Sequence, residues 1–312
     1  MPLSLRRGVV TAILESHEEL LRVEVDGVAC VAYPHVTGPV EVADDVLVNV
    51  QARELELGSG GFDVLYANLS RGLGLEPETG AHVMVLPYTP LQHAVLHVEE
   101  DAASETLPGT PVVCCSLHSQ VAPVCAALDG LRVAYVQVSG GALPVSLSDA
   151  VRVLRTRGLL VVTVAAAPCI DADVQAVNVY SALAYASTKG VDAIVCAIGP
   201  GIVGTGTALG HGGVAAAQAA DAAAALGGKP VVAPRVSAAD PRERHRGRSH
   251  HTESVLRLCL STPLVPDDLD PPDWRKACAG LPLEHMGRGP DEDPEFFAAA
   301  FAAGLLARRL VS

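Results

Sequence analysis

A short basic segment in the last third of the sequence, ADPRERHRGRSHHT at 239–252, holds the residue types best suited to chemistry. Its arginines and histidines are Arg242, Arg244, His245, Arg246, Arg248, His250 and His251. Guanidinium groups bind phosphate or carboxylate through paired hydrogen bonds, and imidazoles exchange protons near neutral pH. The segment therefore favours an anion-binding site in which His245, His250 or His251 is the general acid or base.

A helix is predicted to begin directly behind this segment, with Ser249 or Thr252 as its N-terminal cap. The positive end of a helix dipole disfavours each nearby cation by about 0.3–1 kcal/mol. Asp240 and Glu243 can neutralise only part of the surplus charge. We therefore expect an anion, or carboxylates from elsewhere in the chain, among the arginines, with Ser249 beside it. A surface loop of solvated arginines is the alternative.

A glycine-rich segment, GPGIVGTGT at 199–207, is the second candidate. Its candidate residues are Gly199, Gly201, Gly204, Thr205, Gly206 and Thr207, and the first three match G-x-G-x-x-G. Backbone N–H groups of such a loop can surround an anion, and a helix predicted from residue 211 adds its dipole. As an NAD(P) fingerprint the pattern is weak, because it follows the fourth predicted strand and Arg235, not a carboxylate, ends the next strand. We expect anion or phosphate binding here, with a structural tight turn as the alternative.

Three further side chains follow predicted strands. His118 is a candidate general acid or base, although a lone loop histidine is more often structural. Asp171, together with Asp173, could orient His118 or a substrate hydroxyl, or could instead cap the next helix. Cys169 is a weak candidate nucleophile, because neighbouring aspartates raise the pKa of a thiol.

A second glycine–arginine segment, EHMGRGPDEDPEFF at 284–297, precedes the last predicted helix. His285 and Arg288 favour a loop that closes over the site and adds Arg288 to the anion-binding residues. An ordinary helix-entry loop with Asp293 as its cap is the alternative.

A metal site is a less favoured interpretation. His245, His250 and His251 could supply nitrogen ligands, and Asp171, Asp173 or Asp240 could add oxygen. Adjacent helical residues such as His250 and His251 point about 100° apart, however, and the arginines repel a cation. The sequence names no cofactor.

The elements that position these residues begin at residue 111. Apolar β-like runs occupy 111–117, 131–138, 158–166, 191–198 and 229–236, and helical segments occupy 119–128, 146–157, 174–188, 211–226, 251–261 and 294–310. This alternation predicts a Rossmann-like α/β domain, with a mostly parallel sheet and helices on both faces. Ligands of such sheets bind beyond the carboxyl ends of the strands, where the candidate residues lie.

The first 75 residues consist of short β-branched runs separated by turn residues, which predicts a small all-β barrel or sandwich. The stretch LELGSGGFDV at 55–64 predicts a glycine-rich turn. Residues 76–110 include the acidic run VEEDAASETLPGTP and are expected to connect this domain to the Rossmann-like domain, 111–312.

Composition and charge favour a globular protein that does not bind nucleic acid in general. Hydrophobic residues make up 49% of the chain, enough for a large core, and the net charge is −13. A strongly acidic protein does not suit general nucleic-acid binding, which requires a broad basic surface. The local basic segment fits a small anion better than a polyanion.

Segments that could cross a membrane or form disulfides are not predicted. Residues 193–210 carry no charge, but their glycines and Pro200 break a spanning helix. The first residues lack the apolar stretch of a signal peptide. The eight cysteines form no CxxC pair, which favours free buried thiols and a cytoplasmic protein. The alanine-rich segment 211–226 suits either internal packing or a homodimer interface.

Three stretches carry a resemblance to a known family: GPGIVGTGTALGHGG, RVSAADPRERHRGRSHHT and HMGRGPDEDPEFF. With them the chain resembles a bacterial family defined as domain of unknown function 3866, over nearly its whole length. The resemblance supports the extent of the site and implies no reaction, substrate or cofactor.

Three hypotheses follow. In the first, the protein is a hydrolase or transferase that acts on a small phosphorylated or carboxylated metabolite, held by residues 199–207 and by Arg235 and the arginines of the basic segment. In the second, it is a non-catalytic sensor of a nucleotide or similar anion, and the β-domain contacts a partner protein. In the third, it is a metal-dependent hydrolase.

Overall fold

The computed structural model describes residues 3–56, 61–71, 74–100 and 104–311. Its contacts divide the chain into two compact units, Met1–Ala94 and Val95–Ser312. The predicted connecting segment 76–110 contributes residues to both units. The predicted glycine-rich turn and the acidic run lie partly outside the described residues.

The N-terminal unit contains a closed five-stranded barrel, as predicted. Its strands are β1 (Leu5–Ser16), β2 (Leu21–Val25), β3 (Val28–Ala32), β4 (Asp45–Asn49) and β5 (Asp63–Asn68), in the order β1-β2-β3-β5-β4. Two single-turn helices, α1 (Pro34–Thr37) and α2 (Gln51–Glu54), interrupt them. Alternate residues such as Val23, Val25, Val46 and Val48 are fully buried and fill the interior, as a two-residue repeat requires.

Two short strands, β6 (Val83–Val85) and β7 (His93–Val95), pair with each other before the C-terminal sheet begins. The main sheet has six strands, all parallel, in the order β11-β10-β9-β12-β8-β13. They are β8 (Pro111–Cys115), β9 (Val133–Val138), β10 (Val162–Ala166), β11 (Val174–Ala176), β12 (Ala193–Ile198) and β13 (Lys229–Ala233).

Helices cover both faces of this sheet, which confirms the predicted Rossmann-like architecture. They are α3 (Val121–Ala127), α4 (Asp149–Thr156), α5 (Val179–Thr188), α6 (Ala215–Ala225), α7 (His250–Leu258), α8 (Trp274–Ala277) and α9 (Pro294–Leu310). Val195 and Ala197 of β12 pack in one core cluster with α3 and α9, whereas Ile194 and Cys196 pack with α5 and α6. Because both faces are buried, the strands are apolar without alternation.

Two elements after the core strands differ from the prediction. The predicted helix 174–188 begins with a three-residue edge strand, β11, and α5 starts only after Asn178, whose side chain caps it. The predicted cap Asp173 is instead held against the sheet, because its carboxylate accepts the N–H and hydroxyl of Thr163 and pairs with Arg155. A further antiparallel pair, β14 (Val236–Ser237) and β15 (Gly247–Arg248), folds the basic segment back onto itself.

The eight cysteines are free, as expected, and seven of them are buried. Burial raises the pKa of the Cys169 thiol to about 12, so this side chain is protonated at neutral pH. Among the helices of the described residues, none combines the length and apolar character needed to cross a membrane.

A glycine in α9 allows this helix to pack closely against α3. A Cβ at Gly304 would lie 2.5 Å from the Val124 carbonyl oxygen and 2.6 Å from the Ala127 Cβ. We therefore expect Gly304→Leu to lower the free energy of unfolding by about 3 kcal/mol. Arg309→Leu, on the exposed side of the same helix, should change it by less than about 0.5 kcal/mol. Urea unfolding followed by the fluorescence of Trp274, the single tryptophan, measures both free energies. Equal unfolding midpoints in the two variants would contradict close packing of α9 on α3 at Gly304.

Candidate functional site

Two glycine loops meet at the carboxyl edge of the sheet. The Ala142 N–H, after β9, donates to the Pro200 carbonyl at 2.8 Å, and the Val203 N–H donates to the Gly140 carbonyl at 3.0 Å. A Cβ on Gly199 would collide with the Ala142 carbonyl. The crevice between the neighbouring strands β9 and β12 is thus filled by backbone packing, which gives Gly199 a structural role.

The outer half of the second glycine loop is an exposed turn. The Thr205 N–H donates to the Gly210 carbonyl at 2.6 Å, and the Thr205 and Thr207 hydroxyls lie 2.9 Å apart. Both hydroxyls are therefore engaged within the loop. Gly204 lies opposite His211 in a non-hydrogen-bonded pair, so the Gly204 N–H points away from the facing strand.

A buried carboxylate is the negative partner of three predicted arginines. Asp240 is fully buried and accepts from Arg235 at 3.0 Å, from Arg242 at 2.8 Å and from Arg288 at 3.5 Å. Arg288 also donates to the buried Asp293 at 3.1 Å. We call these five residues the Asp240 network. The Asp240 network contains three guanidinium groups and two carboxylates.

Ionisation in the Asp240 network follows from these contacts. Burial opposes the charge of Asp240, but the hydrogen bonds and charge of Arg242 outweigh it and hold the pKa of this carboxyl well below its usual range. Burial lowers the pKa of Arg235 to about 10, and Asp240 limits that fall. Arg235 therefore remains charged at neutral pH, and the network keeps a surplus positive charge.

The other three arginines of the basic segment differ in their partners. Arg248 pairs with Glu253 at 2.6 Å on the surface, and Arg246 donates to the Asp240 backbone carbonyl at 3.1 Å. Arg244 is exposed, and within the described part of the chain it makes neither an ion pair nor a hydrogen bond. Its guanidinium lies against Gly206, whose Cβ position is 3.5 Å from the guanidinium carbon. The structure thus joins the basic segment to the glycine loop through Arg244.

Four histidines form a cluster beside this contact: His211, His245, His250 and His251. The ring centroids of His211 and His251 are 3.8 Å apart, and those of His245 lie 4.7 Å from His250 and 4.8 Å from His251. His211 was not among the residues predicted from the sequence. It follows the glycine loop directly, in ALGHGG, and this position was the available signal.

All four imidazoles are neutral at pH 7. Burial, and then the charge of Arg235, lower the pKa of His245 to about 3. Burial, and then His211, lower the pKa of His251 to about 2. Burial is also the main cause that lowers the pKa of His211 and of His250. The cluster therefore contributes nitrogen lone pairs, and the positive charge of the site comes from the arginines.

The start of α7 holds two of these imidazoles in place. Ser249 is the N-terminal cap, as predicted: its hydroxyl accepts the His251 N–H at 3.2 Å and lies 2.7 Å from His245 Nδ1. The other predicted cap, Thr252, instead accepts the Arg235 N–H at 2.8 Å. Thr252 thereby connects the segment that follows β13 to the start of α7.

His118 and Asp171 make contacts of their own. His118 Nδ1 donates to the Ile198 carbonyl at 3.0 Å, and its Nε2 lies 2.6 Å from the Ser148 hydroxyl. Burial lowers the pKa of His118 to about 4. Asp171 accepts from Ser146 at 2.5 Å. These geometries give both residues structural contacts.

The segment 284–297 contacts the Asp240 network through Arg288. His285 stacks on Phe296 with ring centroids 3.8 Å apart, and its Nδ1 lies 3.3 Å from the Ser119 hydroxyl. Asp293 stands at the N-terminal cap position of α9 but does not cap it with its side chain. Its carboxylate instead accepts from Ser237 at 2.7 Å and from Arg288.

Buried polar atoms without a hydrogen-bond partner concentrate in this one region. Among the described residues of the C-terminal unit these atoms are Ser116 Oγ, His211 Nδ1 and Nε2, Arg235 Nε, His250 Nε2, His285 Nε2 and Asp293 Oδ1. Ser116 borders the cluster, since a Cβ on Gly213 would lie 3.3 Å from its Cβ and 3.1 Å from His211 Nδ1. An unsatisfied buried polar atom costs about 1–3 kcal/mol, so these atoms make the region the candidate functional site.

Comparison with known proteins matches most of the chain to one family model. A comparison with curated proteins finds no match for this chain. The family model described as "Protein of unknown function (DUF3866)" matches residues 29–269, a range that includes the glycine loop and the basic segment and ends before the segment 284–297. The chain therefore belongs to the family of domain of unknown function 3866.

Proposed function

We propose that the C-terminal unit binds a small phosphorylated or carboxylated ligand at the carboxyl edge of the parallel sheet, as an enzyme of the hydrolase or transferase type. One observation carries the proposal. Unsatisfied buried nitrogens of His211 and His250 lie in the histidine cluster near Arg244, a guanidinium without a carboxylate partner among the described residues.

The anion is expected between Arg244 and the turn of the glycine loop. Arg244 donates to it, and so do the N–H groups of Gly204 and Gly206, since a glycine backbone allows close approach. The surplus positive charge of the Asp240 network attracts the same ligand. The neutral imidazoles of His245 and His250 accept hydrogen bonds from its hydroxyl groups or from an attacking water.

The same proposal places the protein in the cytoplasm, where free thiols remain reduced. A small anion rather than a nucleic acid remains the expected partner, because the chain as a whole is acidic. Six alanines of α6 are buried in the core of this unit, so the small side chains of this helix serve internal packing, and a homodimer stays a prediction.

A thermal-shift screen of the full chain tests the proposal. The panel contains inorganic phosphate, sugar phosphates, nucleotides, coenzyme A esters and dicarboxylates. A ligand at 100 times its Kd adds about 2.7 kcal/mol, which raises Tm by about 5–10 °C in a unit of this size. We expect Arg244→Ala to weaken binding of the responding ligand by about 10-fold to 100-fold.

Arg257→Ala is the matched control. Arg257 is exposed in the last turn of α7, and its substitution removes the same charge as Arg244→Ala does. Its affinity for the ligand should equal that of the wild type. An equal loss in both variants, or a panel without any response, contradicts the proposed site. Consumption of a responding ligand, followed by NMR, distinguishes an enzyme from a non-catalytic sensor.

A further inference from the structure

We infer that His211, His250 and His251 form a binding site for a late first-row divalent metal ion such as Zn²⁺. One ring nitrogen from each of the three residues lies within 4.8 Å of the others. Two imidazole nitrogens at 2.0–2.1 Å from a tetrahedral ion are about 3.4 Å apart. The nitrogens therefore need to approach one another by at most about 1.4 Å.

The tertiary structure overcomes the divergence of adjacent helical residues. His250 and His251 occupy the first two positions of α7, and the glycine loop places His211 against both, with ring centroids 5.6 Å and 3.8 Å away. His211 and His251 stack at 12°, so the His211 ring must turn to share an ion with His251. Neither His211 nitrogen makes a hydrogen bond of good geometry, so this rotation breaks at most a weak contact with the Ala208 backbone.

Unpartnered nitrogens are the independent sign of a ligand. His211 is 5% exposed, and both its nitrogens are buried without a partner, as is Nε2 of His250. His251 Nδ1 accepts from Arg235 at 3.2 Å, so binding through this atom replaces that one hydrogen bond. Asp240 pairs with Arg235 at 3.0 Å and thereby reduces, without cancelling, the repulsion of a cation by Arg235.

The donor set indicates the class of ion. Three imidazole nitrogens without a carboxylate or thiolate suit Zn²⁺, Co²⁺, Ni²⁺ or Cu²⁺ rather than Mg²⁺ or Ca²⁺. Three protein ligands leave a coordination position open, as in catalytic zinc sites. The metal ion would polarise an anion bound at that position beside Arg244. This catalytic role of the ion rests on the proposed function, whereas metal binding itself does not.

Metal binding is measured on the full chain after treatment with a chelator. Titration with Zn²⁺ against a chromophoric chelator should show one tight site per chain, and Co²⁺ should give the visible absorption of a four- or five-coordinate ion. We expect His211→Gln and His250→Gln each to weaken Zn²⁺ binding at least about 100-fold. His97→Gln, a buried histidine elsewhere in the same unit, is the matched control and should bind as the wild type does.

Less than one equivalent of tight Zn²⁺ in the wild type, or unchanged binding in both cluster variants, would overturn the inference. Nitrogen hyperfine coupling in the Cu²⁺-loaded wild type counts the bound imidazoles, so the test survives a variant that does not fold. Fewer than two imidazoles overturns the inference as well. Arg244→Ala should keep the Zn²⁺ site and lose the anion response, so failure of this inference and failure of the proposed function are distinguishable.

Discussion

Replacing Asp240 with asparagine is expected to lower the free energy of unfolding of the C-terminal unit by about 3–5 kcal/mol. Asp240 is fully buried and accepts hydrogen bonds from Arg235, Arg242 and Arg288. Arg235 is only 2% exposed, so loss of the carboxylate leaves its charge buried without its closest counter-ion. Removing one partner of a buried ion pair costs far more than removing an exposed pair, because water cannot replace the lost interaction.

Asp291→Asn provides the matched control for this prediction. The Asp291 side chain is 97% exposed and pairs with Arg275 at 2.9 Å, so the same charge change should cost less than about 1 kcal/mol. Urea unfolding of both variants, followed by Trp274 fluorescence, gives the comparison. A cost below about 1 kcal/mol for Asp240→Asn would mean that other groups balance Arg235.

Acid should destabilise the C-terminal unit from about pH 6.5 downward, because its buried histidines, His118 and His285 among them, resist protonation. Burial lowers the pKa of His118 to about 4 and that of His285 to about 3. Both folded-state values lie below the ordinary histidine value of about 6.5, so the unfolded chain takes up protons first as the pH falls. Each histidine then removes about 1.4 kcal/mol per pH unit, until the pH reaches its own folded-state pKa.

The free energy of unfolding, measured at half-unit steps between pH 7 and pH 4, gives the slope of stability against pH. In His118→Gln the slope should decrease by up to about 1.4 kcal/mol per pH unit between about pH 6 and pH 4.5, because one of the resisting groups is gone. His82→Gln removes an exposed histidine of the N-terminal unit and should leave the slope of Trp274-detected unfolding unchanged. An unaltered slope in His118→Gln would show that this ring is protonated without cost in the folded state.

The residue pattern alone predicted both folding units, because local repeats determine which side chains can be buried. Short β-branched runs separated by turn residues, such as 20–26 and 45–51, predicted a small barrel or sandwich, and the fold is a closed barrel. The apolar runs separated by helical segments required a parallel sheet covered on both faces. Ser249 was also predictable, since a serine before a helix caps its free N–H groups. The strand β11 was missed because three residues are too short to show a repeat, and because the Asp173–Thr163 contacts form only in the folded sheet.

The sequence also predicted that the glycine loop and the basic segment follow strands of one sheet, so their ends meet at one edge. Only the tertiary structure decided what each side chain does there. It paired three arginines with Asp240, placed Arg244 on Gly206 and brought His211 to His250 and His251. It also made the imidazoles neutral, because burial beside cations lowers their pKa. Contacts between residues far apart in sequence and the loss of solvent depend on the crossovers of the whole sheet, and no local pattern encodes them.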